Sequence, residues 1–388
     1  MRDKKKILLI LRRGISEIEW LSPVIDSENF NFELYTFYLT KKTFNSCAKY
    51  PTINKILNKK QNNYFVLKKT NLILFRLLLR ISNFFINKFY DTSYVKKKLN
   101  LNPETKFDIV LTEFGNNSYW IQKFKETDNS KIVKVPSTPT TYVNFKASDE
   151  VKKIFCDYLI VNNSKNLDYW SRFVDKKNLK SFGVPIFDIS WRNKQISKKY
   201  NKSHTLKVLF AYSSYFGLVK NQDFQILKDQ FIQIMDLFSK YKNIKITFKI
   251  HPEKNDPYFF KLLNKHPNNL KIMSNENIYN LSYENDILVT NYESAAAIYG
   301  CYFSKPCIEI WKGIDSIYQK GFLNSNNGSL GILKPTKNIS DFREKFNDAI
   351  EYVNQKSQSF DKEINNFKKI YPENAGTINN ICDFLRKS

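Results

Sequence analysis

The sequence predicts an α/β protein built from two parallel, doubly wound sheets. Three observations carry this. Short apolar runs bounded by Gly, Pro, Asn or Ser alternate with stretches of helical spacing along the chain. The alternation breaks at residues 193–205, NKQISKKYNKSHT, and then resumes, so the series is double. The 388 residues suffice for two domains of ordinary size, and 42% hydrophobic residues supply their cores.

Residues 6–11 form the first strand, ended by Arg12, Arg13 and Gly14. The next segment, ISEIEWLSPVID, has acids in its first turn and apolar residues at helical spacing, so a helix follows. Residues 32–38 are a second strand. Residues 72–90, LILFRLLLRISNFFINKFY, are the most apolar helix, but Arg76, Arg80 and Lys88 interrupt it. It falls short of the roughly 20 apolar residues a membrane span needs. It reads as a buried helix, with a membrane-surface or acceptor-docking helix as the alternative. Strands follow at 107–112, 131–135 and 156–161, and GVPIFD closes the half.

The second half opens with a strand at 207–211, a loop to Gly217 and a helix over 223–241. A strand over 244–250 runs into His251-Pro252-Glu253, and another lies near 270–273. The run 287–289 is a buried strand; Asn291 and Ser294 suit a helix start, three alanines follow, and 307–310 is the next strand. Residues 339–353 and 360–386 are terminal helices, expected to pack back on the first domain. The domains are therefore 1–195 and 206–388, two Rossmann-like halves facing each other across a cleft.

The formal net charge of +25 fits a solvated lysine surface equally with an anion-binding one: nucleotide-sugars, anionic lipid heads or nucleic acid. Nucleic acid is disfavoured by the lack of zinc-finger spacing, an RRM-like aromatic signature or a basic heptad region. The five cysteines lack CxxC spacing, which argues against structural zinc and for a reducing compartment. The apolar run at 7–11 is too short for a signal peptide. A cytoplasmic protein, peripheral on the inner face of the cell membrane, is expected.

Ligands of parallel α/β sheets sit at the carboxyl ends of strands. His251 stands at such an end and can donate to a phosphate oxygen; a core-edge histidine bonded to backbone is the other reading. Pro252 follows it. Ser294 and Ala295 open a helix whose N–H groups favour an anion, and capping alone explains Ser294 equally. Glu293 suits ribose hydroxyls better than phosphate. Ser213 and Ser214, in the loop before Gly217, are further donor-side candidates, although no GxGxxG or GxxxxGK[ST] occurs. In the first half Glu17 and Glu19 follow the first strand, and a carboxylate there could act as general base; Glu113, also at a strand end, is the runner-up, and Arg13 is a further candidate. First-turn acids are commonly only dipole partners. No DxD pair lies in a loop between strands, so no metal and no separate cofactor are expected.

The order GVPIFD, a polar linker, KVLFAYSS, FKIHPE and NDILVTNYESAAAIYGCYFSKPCIEI resembles the GT-B glycosyltransferase superfamily. Within it, RRGISEIEWLSPVI is similar to the glutamate-bearing loop of bacterial surface-carbohydrate transferases that use CMP-activated acidic sugars such as Kdo or sialic acids. The resemblance implies a metal-independent, inverting transferase of surface-polysaccharide assembly, acting on a glycan or lipid-linked acceptor. It assigns Glu17 as base and His251 and Ser294 as phosphate ligands. NYESAA departs from the family's consecutive small hydroxyl residues. This keeps open a CDP-polyol phosphotransferase, a UDP-sugar enzyme of the same skeleton, or a non-catalytic nucleotide-sugar-binding partner.

Overall fold

The computed structural model describes residues 4–12, 14–67, 92–116, 119–143, 154–196, 205–212, 221–250, 270–273, 276–291, 294–310, 325–355 and 357–388. Two compact units emerge. Unit 1 is Met1–Pro139, Glu150–Arg192 and Glu373–Ser388; unit 2 is Thr140–Asp149 and Asn193–Pro372.

In unit 1 the apolar run KILLIL forms β1 (Lys6–Leu11), and five of its six residues are buried. A strand so uniformly apolar fits a parallel sheet covered on both faces. Gly14, at φ 93, turns the chain into α1 (Ile15–Asp26), a left-handed backbone that a side chain would strain. Next come β2 (Glu33–Tyr38), α2 (Lys41–Ala48), α3 (Pro51–Lys60) and β3 (Gln61–Val66). Then follow α4 (Thr92–Lys98), β4 (Ile109–Glu113), α5 (Tyr119–Asp128), β5 (Lys131–Val135), β6 (Tyr158–Val161), β7 (Leu179–Ser181) and α6 (Ile189–Gln195). All pairings in the sheet are parallel, in the order β3-β2-β1-β4-β5-β6-β7. The chain builds outward from β1 in one direction, returns to lay β4 beside β1, and builds outward in the other. The boundary between β1 and β4 is therefore the point where strand order reverses. Ile10, Val110 and Ile132 pack with Trp120 and Phe124 of α5 on one face.

Unit 2 repeats the plan. It comprises β8 (Leu206–Tyr212), α7 (Asn221–Ser239), β9 (Ile244–Ile250), β10 (Leu270–Met273), α8 (Ile278–Glu284), β11 (Ile287–Asn291), α9 (Ala296–Tyr302), β12 (Cys307–Ile310) and β13 (Lys334–Thr336). Two helices follow, α10 (Ile339–Gln355) and α11 (Asp361–Ile370). The strand order is β10-β9-β8-β11-β12-β13, reversing between β8 and β11. Alternate residues of the strands (Val208, Phe210, Phe248, Val289, Ile308) meet Phe238, Phe342 and Phe346 in one core. On the opposite face α9 lies close because Gly300 has no side chain. A Cβ there would stand 2.5 Å from Leu288 and 2.6 Å from the Cys307 sulfur.

The last helix, α12 (Thr377–Lys387), belongs to unit 1 and packs on α1. The expected return of C-terminal structure to the first domain is thus made by α12, while α10 and α11 stay with unit 2. Asp188 fastens the return. One carboxylate oxygen accepts from the N–H groups of Gly376 and Ile378, both at 3.1 Å. The other accepts from the N–H and hydroxyl of Ser190.

Strands β3, β7 and β13 are additions to the sequence expectation, as are α2 and α3. The apolar stretch at 72–90 lies outside the described residues. Among the described residues no helix is long and apolar enough to cross a membrane.

Candidate functional site

The carboxyl ends of β1 and β4 flank the reversal point in unit 1, where ligands of open α/β sheets bind. Arg12 leaves β1 there, and Glu113 is the last residue of β4. Arg12 Nη2 donates to Glu113 Oε2 at 2.9 Å. The guanidinium is about one-third exposed and the carboxylate fully buried. Glu17, in the first turn of α1, is 1% exposed, and its Oε2 accepts from the Arg12 backbone N–H at 2.7 Å. The two carboxylates are therefore joined through one arginine, Glu17 by its backbone and Glu113 by its side chain. Thr43 of α2 donates its hydroxyl to the Arg12 carbonyl at 2.8 Å and steadies the same turn.

Gly115 lies directly against this pair. A Cβ there would lie 2.8 Å from both Arg12 Nη2 and Glu113 Oε1. Asn116 closes the turn, its N–H on the Glu113 carbonyl and its amide on Thr112 Oγ1, both at 3.0 Å. Lys134 of β5 adds a second cation, 1% exposed, with Nζ on the Phe114 carbonyl at 3.3 Å. Burial pulls its ammonium down to about 8; Cys156 and Glu113 act to raise it, and Arg12 lowers it. Burial also pushes the Cys156 thiol up to about 11, so below that pH it stays neutral.

Of the expected first-half residues, Glu17 and Glu113 come together at this site. Glu19 does not share it: two positions on from Glu17, it lies about 200° round the helix and is half-exposed. Arg13 lies outside the described residues.

In unit 2 the carboxyl ends of β8, β9 and β11 are Tyr212, Ile250 and Asn291. Ser213, Ser214, His251, Pro252 and Glu293 all lie just past them, outside the described residues. Ser294 lies just ahead of α9, its Oγ accepting from the Ala296 N–H at 3.3 Å. Ala295 stands at the N-cap, and α9 itself has only seven residues. Sequence reading passed over a buried polar group nearby. Glu309 of β12 is fully buried and accepts from the Ser325 hydroxyl, which also accepts from the Gly328 N–H at 2.9 Å. The signal was present, since CIEI places a carboxylate inside an apolar strand. Among the described residues no cluster of His, Cys, Asp or Glu could hold a metal ion.

No protein-family model matches the chain, and no curated protein matches it by sequence. Solved structures do match. The UDP-GlcNAc 2-epimerase of Methanocaldococcus jannaschii, in complex with UDP-GlcNAc and UDP, is 16% identical. The match covers 99% of this chain and all of that one, with a TM-score of 0.61. The wall teichoic acid polymerase TagF is 14% identical over 99% of this chain and 88% of its own, at a TM-score of 0.60. A glycosyltransferase of Rickettsia africae is 12% identical over 99% and 98%, at 0.55. Identities this low carry the fold alone. With two parallel sheets of seven and six strands and full-length superposition on these enzymes, the chain has the GT-B fold of two Rossmann-like domains.

Proposed function

We propose that the protein is a nucleotide-sugar-dependent glycosyltransferase. Unit 1 presents the general base to an acceptor hydroxyl, and unit 2 holds the activated donor. The observation that supports this reading best is the pair of buried carboxylates, Glu17 and Glu113, held by Arg12 at the reversal point of the first sheet. Buried charge is expensive unless paired, and this pair sits where open α/β sheets take ligands. Glu17 is the base and Glu113 with Arg12 its electrostatic partner. The nucleotide phosphate belongs at His251 and the Ser294 segment, with Glu293 on the ribose. Ser213, Ser214, Pro252 and Ala295 line the donor side.

Glu17→Gln is expected to leave donor binding intact and lower turnover about 10²–10⁴-fold. Near-normal turnover in that variant, with a collapse in Glu113→Gln, would transfer the base role to Glu113. His251→Ala is expected to weaken nucleotide binding by about 1.5–3 kcal/mol, as for a hydrogen bond to a charged group.

The donor proposed is a CMP-activated acidic sugar. One imidazole and one short helix start suffice for a single phosphate, which leaves Glu293 to the ribose. CMP should then raise the melting temperature without added Mg²⁺, and more than UDP at equal concentration. The full-length match to an epimerase solved with UDP-GlcNAc and UDP supports a second reading, a UDP-sugar enzyme. Larger stabilisation by UDP selects it, and larger stabilisation by CDP selects a polyol-phosphate transferase. Product analysis with each stabilising donor then separates transfer from epimerisation.

A further inference from the structure

Lys134 occupies an inner strand of a sheet covered on both faces, where apolar side chains are the rule. Its register partner on β4 is Thr112, and the next pair is Val135 with Glu113. Phe114 is gripped twice from β5. Its N–H donates to the Val135 carbonyl at 3.0 Å, and its carbonyl accepts from Lys134 Nζ at 3.3 Å. The turn so gripped carries Glu113 on one side of Phe114 and Gly115 on the other. Gly115 lies in close contact with the Arg12–Glu113 pair. Among the described residues, charged groups that act on Lys134 include Glu113 from β4 and Arg12 just past β1, with the Cys156 thiol ahead of β6.

We propose that Lys134 is a positioning residue, whose ammonium seats the Glu113-Phe114-Gly115 turn and thereby holds the Arg12–Glu113 pair in place. The charged form donates to the Phe114 carbonyl and attracts the Glu113 carboxylate across the turn. A neutral amine keeps only a weaker hydrogen bond, and its attraction for the Glu113 carboxylate is lost. Burial brings this change close to neutrality, with the ammonium lowered to about 8. The pair therefore loosens in mild alkali. The bearing on catalysis rests on the transferase reading above; the seating of the turn does not.

The test is made on the full chain. It has ten glycines, so ¹⁵N-glycine labelling makes the Gly115 amide accessible by NMR from pH 6.5 to 9.5. In the wild type its shift should titrate with a midpoint near 8. In Lys134→Arg, charged throughout, it should stay flat at the acid-limb position. In Lys134→Met it should stay flat and displaced. A flat wild-type curve overturns the proposal, as does a titration that persists in Lys134→Arg. The Arg variant keeps the test decisive if the Met variant folds poorly. Turnover of whichever nucleotide-sugar is accepted should fall about tenfold per pH unit above 8 in the wild type, with Lys134→Arg holding its activity across that range. A Gly115 titration without any turnover supports the brace and counts against the transferase reading alone.

Discussion

Arg12 serves two carboxylates with different parts of itself, and substitutions should separate them. Removing its side chain in Arg12→Ala leaves the backbone N–H on Glu17 intact but takes from buried Glu113 the guanidinium paired with it, while the Lys134 ammonium still faces it. Breaking a buried ion pair typically costs about 3–5 kcal/mol; the partial exposure of Arg12 and the Lys134 ammonium place the expected loss at the low end, read from the urea midpoint. Lys134 makes a prediction of opposite sign. Its ammonium is lowered to about 8 when folded, against an ordinary 10.5. Between those pH values the unfolded chain binds more protons, so this group's contribution to stability rises with pH through that window. Below pH 8 the buried charge costs at most about 3 kcal/mol relative to the neutral form. Lys134→Met should therefore show its largest relative advantage below pH 8 and lose it by about 10.5, in paired denaturation curves. Glu17 was legible in the sequence because an acid in the first turn after a strand and a glycine is a recognisable pattern. Lys134 was not. In KIVKV a lysine flanked by valines reads as a solvent-facing alternation, and only the burial of four of its five residues on an inner strand shows that both faces are covered.

Edge position explains which elements could be read. The strands found only in the structure, β3, β7 and β13, all end a sheet. A strand paired on one side needs less apolar sequence. QNNYFV is half polar, β7 has three residues, and β13 carries Pro335, which an edge strand tolerates. Strands β1 and β8 were legible as nearly continuous apolar runs, β11 by its Ile287–Val289 run, and β9 by its alternation of apolar with polar residues. Asp188 anchors the start of α12 on unit 1 beside other contacts, among them the Thr377 hydroxyl on the Phe182 carbonyl. Asp188→Ala removes the acceptor for Gly376 and Ile378 at the start of the helix. A loss of about 3 kcal/mol is expected from stranded N–H groups and a lost charged acceptor. Hydrogen exchange should rise across 377–387 while β8 and β11 keep their protection. Gly300→Ala should disturb the other unit by crowding Leu288 and Cys307, at about 1–3 kcal/mol.

At the scale of the whole molecule, the net charge of +25 gives a test that needs no substrate. Binding to anionic vesicles is expected at low salt and should fade at physiological ionic strength, where screening acts over about 8 Å. No flotation at low salt would leave the lysines as a solvated surface. The division of the chain has a different consequence, for the time course of synthesis. Unit 1 takes its first strands from the start of the chain and α12 from residues that follow all of unit 2. On a ribosome, the helix that covers α1 emerges only after some 180 intervening residues of the second unit have been made. Until then the α1 surface that meets Cys382 stays open to solvent and to other chains. Unit 2 can close its sheet first, and the earliest-made half finishes last. A nascent chain arrested before residue 373 should therefore show a protease-resistant second unit and a first unit still cleavable in α1.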